Sequence, residues 1–578
     1  MKNKSTGTNG NGFFISRELN GLSPRSARAF LSGRIARVIN GSARSIAHSS
    51  THTFGWLFLS FGLLSLFLQL AEYYFRDITS VPLSSLIIGA VFAVLAIPLL
   101  LVDQPMCQAV QDFPLTDFIL YEFFCIKRMR LDENVKAIKP VFGVIVGLIL
   151  GVIGFVFPLD SVVLVLVILL LAVTAFISPE FPFLLTLLLL PYLSMLPYSS
   201  EILAILSAAT LLSFFRKMLL GKRVYCFENY DVLILLFMAL FTVGGVIGGG
   251  EASTGNSLIM ISLVLGYIPA ANIVVNRRLA DCAVNAIIVS AFPVAVGAAA
   301  EYSVNLAAGN RTPAKSIMQT PETLAAFLTV ATVLTLFYGI AKTKGYKRAP
   351  YFFTLAVEML ALISTENIFI LPVIIFGAIA YAILRSKRIP SELVLLCIVC
   401  PYLFYLLPDG ALGFISERFG LVPALSERIT KFSSDFSVFS DNLLFGIGAG
   451  NLSEGGAGYL NMPFGLALRF GVFAIILFLA FVFLRHWHLS AYATYYRSSA
   501  VHEVTVMTSL ASVCLLVFGS FYDVFADMSV FYLFWCVMGL CSATLRVAKN
   551  EHDDRVGYYS DQSSFDASDA SISLSREV

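Results

Sequence analysis

Apolar runs of about 20 residues, the length that crosses a bilayer as a helix, recur along the chain from Phe54 to Leu545. Short polar or Pro- and Gly-containing breaks separate them. The pattern predicts an all-α, polytopic integral membrane helical bundle. Spans are expected to begin near Phe54, Ser84, Pro140, Ser161, Phe181, Glu201, Asp231, Ser257, Cys282, Glu322, Pro350, Asn367, Ser391, Met462, Glu503 and Ala526. That is about sixteen spans, or roughly twelve to sixteen once short, Pro-flanked stretches such as Phe181 to Pro197 and Pro350 to Ser364 are weighed. The expected organisation is a basic tail over 1–53, N-terminal membrane helices over 54–300, a membrane core over 301–545 and a tail without structure over 546–578. The core includes one large outer loop, 408–461, between the thirteenth and fourteenth spans.

Basic residues orient this pattern, because loops that stay in the cytoplasm carry the lysine and arginine excess. With an even number of spans and both termini cytoplasmic, all of the 39 basic residues except Arg76, Arg311, Lys315, Arg418, Arg428, Lys431 and Arg469 fall on the inner side. Composition agrees: 58% of residues are hydrophobic, 13% are charged and the mean hydropathy is +0.82. Such a chain cannot be solvated as a globule, and it offers no nucleic-acid surface. In the first tail Leu31, Ile35, Val38 and Ile39 recur at helical spacing among arginines, which fits either a helix lying on anionic membrane lipids or a solvated tail.

Metal and redox chemistry find little to work with. None of the nine cysteines falls in an outer loop. The Cys397 and Cys400 pair sits inside an apolar run, where two small buried thiols are the expected state. The histidines all fall on the inner side, and the His486 and His488 pair at a span end next to Trp487 suits an interfacial anchor. No DxD metal motif lies in an outer loop.

Loops as long as 408–461 usually carry function. This one ends in Asp441-Asn-Leu-Leu-Phe-Gly446-Ile-Gly448-Ala-Gly450-Asn451. Alternate glycines let backbone amides turn toward an anion or a sugar; equally, they let a loop fold tightly against helices.

Three features in order carry a resemblance. The first is Arg311-Thr-Pro-Ala-Lys315, then Pro321-Glu322-Thr-Leu324-Ala325. The second is Ser426-Glu-Arg428-Ile-Thr-Lys431-Phe432, then the glycine run. The third is Leu468-Arg469-Phe-Gly471-Val-Phe, opening a long apolar span. Over roughly residues 300 to 485 the chain resembles the O-antigen ligase and O-antigen polymerase family of membrane glycosyltransferases. That resemblance implies transfer of a glycan from a polyprenyl pyrophosphate carrier to an acceptor hydroxyl of a glycan or lipid, on the outer face of a bacterial plasma membrane, with no metal or other cofactor. It implies Arg311 and Arg428 as catalytic pyrophosphate clamps. Lys315, Lys431, Arg469, Gly446, Gly448 and Gly450 would bind substrate, and the general base would be a carboxylate, with Asp435, Asp441 and Glu454 as candidates. Ligases of the family carry a histidine beyond the glycine run, where this chain has Gly458-Tyr459-Leu460-Asn461, so the polymerase is favoured. A second enzyme arrangement would use the first outer loop, Glu72 to Asp77. The alternative from another class is a lipid-linked oligosaccharide flippase or other transporter, which would place ionisable groups within spans; Glu358 is the clear candidate.

Overall fold

The computed structural model describes residues 41–42, 44–75, 83–126, 128, 137–157, 165, 168–169, 171–176, 178–228, 230–247, 251–310, 312–339, 345–367, 370, 373, 377, 434–449, 461–493 and 501–574. The amphipathic spacing at Leu31 to Ile39, most of the span expected from Ser161, nearly all of that from Asn367, the span from Ser391 and the Cys397/Cys400 pair lie outside them. Among the described residues the fold is helical, and its one β-type pairing is an isolated bridge between Ser50 and Pro105. The helices used below are α1 (Thr51–Phe75), α2 (Leu83–Leu101), α3 (Pro140–Val156), α4 (Glu180–Leu193), α5 (Ser199–Leu219), α6 (Asp231–Ile247), α7 (Glu251–Val264), α8 (Tyr267–Ile273), α9 (Arg277–Ala307), α10 (Pro321–Phe337), α11 (Ala349–Ser364), α12 (Met462–Phe470), α13 (Val472–Ala493), α14 (His502–Gly519) and α15 (Met528–Leu574). Seven helical stretches are long and apolar enough to cross a membrane, with α7 and α8 counted together; five shorter apolar helices accompany them. The chain is therefore a membrane protein.

Local chemistry sets where these helices start. Asn276 accepts from Leu279 N at 2.9 Å to cap α9, and Asn461 accepts from Phe464 N at 2.9 Å to cap α12. Thr320 and Thr323 form a reciprocal capping box with Pro321 at the first helical position of α10. Each cap satisfies an amide that has no partner within its helix.

The chain forms two compact units, one of Leu19–Pro182 with Ser213–Arg223 and one of Phe183–Leu212 with Val224–Val578. In the first unit α1 packs between α2 and α3. Gly143, Gly147 and Gly151, four residues apart on α3, face Thr53, Leu57, Ser60 and Leu64 of α1, and a Cβ at any of them would collide with that helix. Small residues at this spacing let two helices approach where lipid supplies no hydrophobic drive. Glu180 is held there by Lys217 at 2.7 Å and by Arg223.

In the second unit α15 is the axis: its membrane-crossing part is almost wholly buried, whereas α13 turns most of its surface outward. Phe237, Phe241, Phe470, Phe478, Phe531 and Trp535 interlock around it, with the Phe241 and Phe470 rings 4.2 Å apart. α15 runs from Asp527, its N-cap side, to a charged cluster at Arg546, about 28 Å at 1.5 Å per residue, close to the thickness of a bilayer core.

Two features differ from expectation. The span expected to open at Met462 is broken at Gly471, whose φ of 82° stops α12 before α13 begins. The tail after Asn550, which composition leaves without structure, continues α15 to Leu574; extending an existing helix avoids the nucleation cost.

Candidate functional site

Residues 434–449, the described part of the long loop, close onto the break between α12 and α13. A short helix over residues 434–441 ends in a turn, and Gly446 and Gly448 take φ of 70° and 86°, conformations open to glycine and costly for other residues. Gly446 N donates to Asn442 O at 2.9 Å, Ile447 N to Leu468 O at 2.7 Å and Gly448 N to Arg469 O at 3.0 Å. From the other side Val472 N donates to Leu443 O at 2.9 Å. The bonds to Leu468 and Arg469 satisfy carbonyls at the C-terminal end of α12, which lack partners within the helix. Asn256 of α7 then fastens the run by donating to Ala449 O at 3.2 Å. The amides of residues 446–448 are therefore spent on the protein's own carbonyls. Of the two roles open to the glycines from sequence, the structure uses them as a clasp rather than as an anion cradle.

Arg469, expected as a cation for substrate, is 1% exposed, and its Nη2 lies 2.6 Å from Asp523 Oδ2, also fully buried. Asp523 comes from the loop between α14 and α15, which sequence reasoning did not single out. It also fills the space beside Gly465, where a Cβ would strike its carboxylate. Met462 N donates to Tyr522 O at 3.0 Å, tying the same loop to the start of α12. One helical turn later Asp527 accepts from Ser529 N at 2.8 Å and Val530 N at 3.1 Å, capping α15. Burial pushes the Asp527 carboxyl up, against the pull of those two amides. Asp527→Ala is expected to lower stability by about 1 kcal/mol through loss of the cap, whereas Asp527→Asn keeps the cap without the buried charge and should match wild type. Thermal unfolding of the three proteins in one detergent would show the order.

The other expected site residues are distributed as follows. Lys315 is exposed, in a segment 312–320 that folds back on the bundle: Ala314 N donates to Ser364 O at 2.9 Å, and Ser316 N to Glu301 at 2.6 Å. α9, 31 residues long, starts just beyond Ala271, whose carbonyl accepts from Arg546, and leads into this segment. No hydrogen bond or ion pair among the described residues joins it to Arg469 or to the glycines. Asp435 is half-buried and Asp441 exposed, on the helix over 434–441. Arg311, Arg428, Lys431, Gly450 and Glu454 lie outside the described residues.

At the far end of α15 a second polar cluster forms around Arg485 and Arg546, which sequence reasoning counted as basic residues of the inner side, and acidic and phenolic residues that it did not single out. Arg485, fully buried, donates to Glu228 at 2.8 Å and to the Tyr230 hydroxyl, and its guanidinium lies 4.8 Å from the centre of the Tyr230 ring. Arg546 donates to the other Glu228 oxygen at 3.2 Å. Tyr267 bridges Asp231 at 3.0 Å and Ser542 at 2.9 Å. The signal was there: Glu228 and Asp231 are an acidic pair in an otherwise basic inner segment. His486 bonds Val482 O at 2.8 Å and Ser512 Oγ at 3.0 Å, while His488 packs on Tyr230, so the two rings do not converge. Among the described residues no group of three His, Cys, Asp or Glu could hold a metal ion.

No family model matches the chain, and no curated protein matches it significantly.

Proposed function

We propose that this membrane protein transfers a glycan from a polyprenyl pyrophosphate carrier to an acceptor hydroxyl, as a polysaccharide polymerase in preference to a ligase. The observation that supports it most is the clasp. Gly446 and Gly448 fasten the described end of the long loop to α12 beside the Arg469–Asp523 pair, so that part of the glycine run packs against the Leu468 to Gly471 motif that the resemblance sets beside it.

In such a reaction the leaving group already ionises easily, so the protein's task is to hold and neutralise pyrophosphate. Arg311 and Arg428 are assigned that role, since a guanidinium pairs with two phosphate oxygens at once, with Lys315 and Lys431 as further positive charge. Arg469 acts differently: its charge is met by Asp523, so it shapes the loop. Asp435, Asp441 and Glu454 remain the carboxylates from which the acceptor's base would come. The setting is a bacterial plasma membrane with the clasp outward.

The test is a gel of surface and carrier-linked glycan from cells lacking the protein, restored with wild type, Arg311→Ala or Arg428→Ala, each checked for membrane insertion. Single repeat units accumulating in the deletion and in both variants are the expected result, with at least a tenfold loss of polymer, as for removal of one transition-state donor. Long unattached chains would indicate a ligase. Unprocessed units held on the cytoplasmic side would indicate a flippase, and unchanged glycan in both variants would remove the clamp assignment.

A further inference from the structure

α10 carries hydroxyls at Thr329, Thr332, Thr335 and, just past its end, Tyr338. Residues three apart form one inclined row along a helix. Glu358 of α11 meets that row: Thr335 Oγ1 donates to its Oε1 at 3.1 Å. The carboxyl is fully buried, near the middle of α11. Its second oxygen, Oε2, has no hydrogen-bond partner among the described residues, and neither does the buried Thr332 hydroxyl one turn along the row. At the other end of the row Asn285 of α9 joins two phenols. Its Nδ2 donates to the Tyr338 hydroxyl at 3.4 Å and its Oδ1 accepts from the Tyr351 hydroxyl at 3.1 Å. Tyr351 lies in the first turn of α11, directly after the basic turn of Lys347 and Arg348.

Among the described residues, the elements packed on α11 bring no counter-charge to Glu358. In α9, Arg277 pairs with Asp281 at 3.8 Å, Arg278 lies in the same first turn, Glu301 accepts from Ser316 N, and Tyr302 donates to Glu366. Glu322 is in the first turn of α10, while Tyr346, Lys347 and Arg348 precede α11. None of these forms a hydrogen bond or ion pair with Glu358. An uncompensated carboxylate at that depth is costly, and ionisable groups inside membrane bundles mark ion or proton paths. A proton is the smallest ligand that removes the charge, and it turns Oε2 from an acceptor into a donor.

We infer that Glu358 is a reversible proton-binding site inside the bundle, reached by water from the side that the Tyr338–Asn285–Tyr351 group closes, and that its protonation is separate from the glycan transfer proposed above. Loading forms one O–H bond on Glu358 Oε2 and breaks one in the hydronium that supplies it. No electron moves and no other reactant is needed.

Infrared spectroscopy of the full chain in lipid nanodiscs tests this, from about pH 5 to about pH 9, a range that brackets ordinary and perturbed carboxyls. The expected result is a carboxylic C=O band that fades as pH rises and is lost in Glu358→Gln, which keeps the acceptor for Thr335. Tyr351→Phe should retain the band but exchange its proton for deuterium several-fold faster. That exchange arm keeps the test open should Glu358→Gln fail to fold. A wild-type band that does not change with pH, a band that survives in Glu358→Gln, or unaltered exchange in Tyr351→Phe would overturn the inference. So would loss of the band on adding sodium at fixed pH, which would make this a metal-cation site.

Discussion

Arg469→Ala is expected to cost about 3–5 kcal/mol of folding stability, the range for breaking a buried ion pair from one side. The cost arises from what stays behind. Asp523 is as buried as its partner, and removing the guanidinium takes the 2.6 Å charge partner from a carboxylate packed against Gly465. Asp523→Asn should be milder, because the amide keeps an oxygen for Arg469 but leaves the cation short of charge. Replacing both at once, Arg469→Met with Asp523→Leu, should recover much of the loss, since a well-packed apolar pair often matches a buried ionic one. Unfolding midpoints in a single detergent provide the measurement. If the double variant were no better than Arg469→Ala, the pair would owe its effect to shape rather than to charge.

Gly471→Ala is expected to cost about 2–4 kcal/mol, combining a backbone conformation almost confined to glycine with a severed hydrogen bond. At φ 82° and ψ 177°, an added Cβ would run into the carbonyl of Leu444, a backbone atom that cannot swing aside as a side chain can. The two segments of the clasp must then part, and Val472 N loses Leu443 O. Limited proteolysis should therefore cut the 434–449 segment faster in Gly471→Ala than in wild type. The helices should stay protected, because α12 and α13 each keep their own packing. Uniform cleavage across the bundle would mean that Gly471 supports the whole fold rather than the clasp.

Much of the helical pattern was legible in the sequence because the bilayer leaves the backbone little choice: every amide must be paired within its own segment. Helix starts near Phe54, Pro140, Asp231, Glu322, Met462 and Glu503 were readable from hydropathy and from Pro and Asn at helix entries. Arg311 and Lys315 were visible as rare cations on one side of a charge pattern. What stayed hidden was partnership. Arg469 looked like a free cation until Asp523, 54 residues further along the chain, came in from another helix pair. Gly446 and Gly448 looked equally able to cradle an anion or to fold the loop, and only the positions of the Leu468 and Arg469 carbonyls decide between those roles. Arg485 and Arg546 counted only as basic residues of the inner side, which says nothing of the burial of Arg485 against Glu228. Pairings across such separations depend on tertiary packing, and spacing along the chain does not encode them.

The two polar clusters at the ends of α15 also act as a length standard. One is fixed by Asp523 and Asp527, the other by Glu228, Arg485 and Arg546, and the rigid helix between them admits no stretching. A hydrocarbon layer much thicker or thinner than about 30 Å has to be met by tilting the bundle or deforming the lipid, at fractions of a kcal/mol per Å of mismatch. The clasp lies at one end of that standard, so a change in acyl-chain length is expected to reach residues 434–449 through the tilt of the bundle.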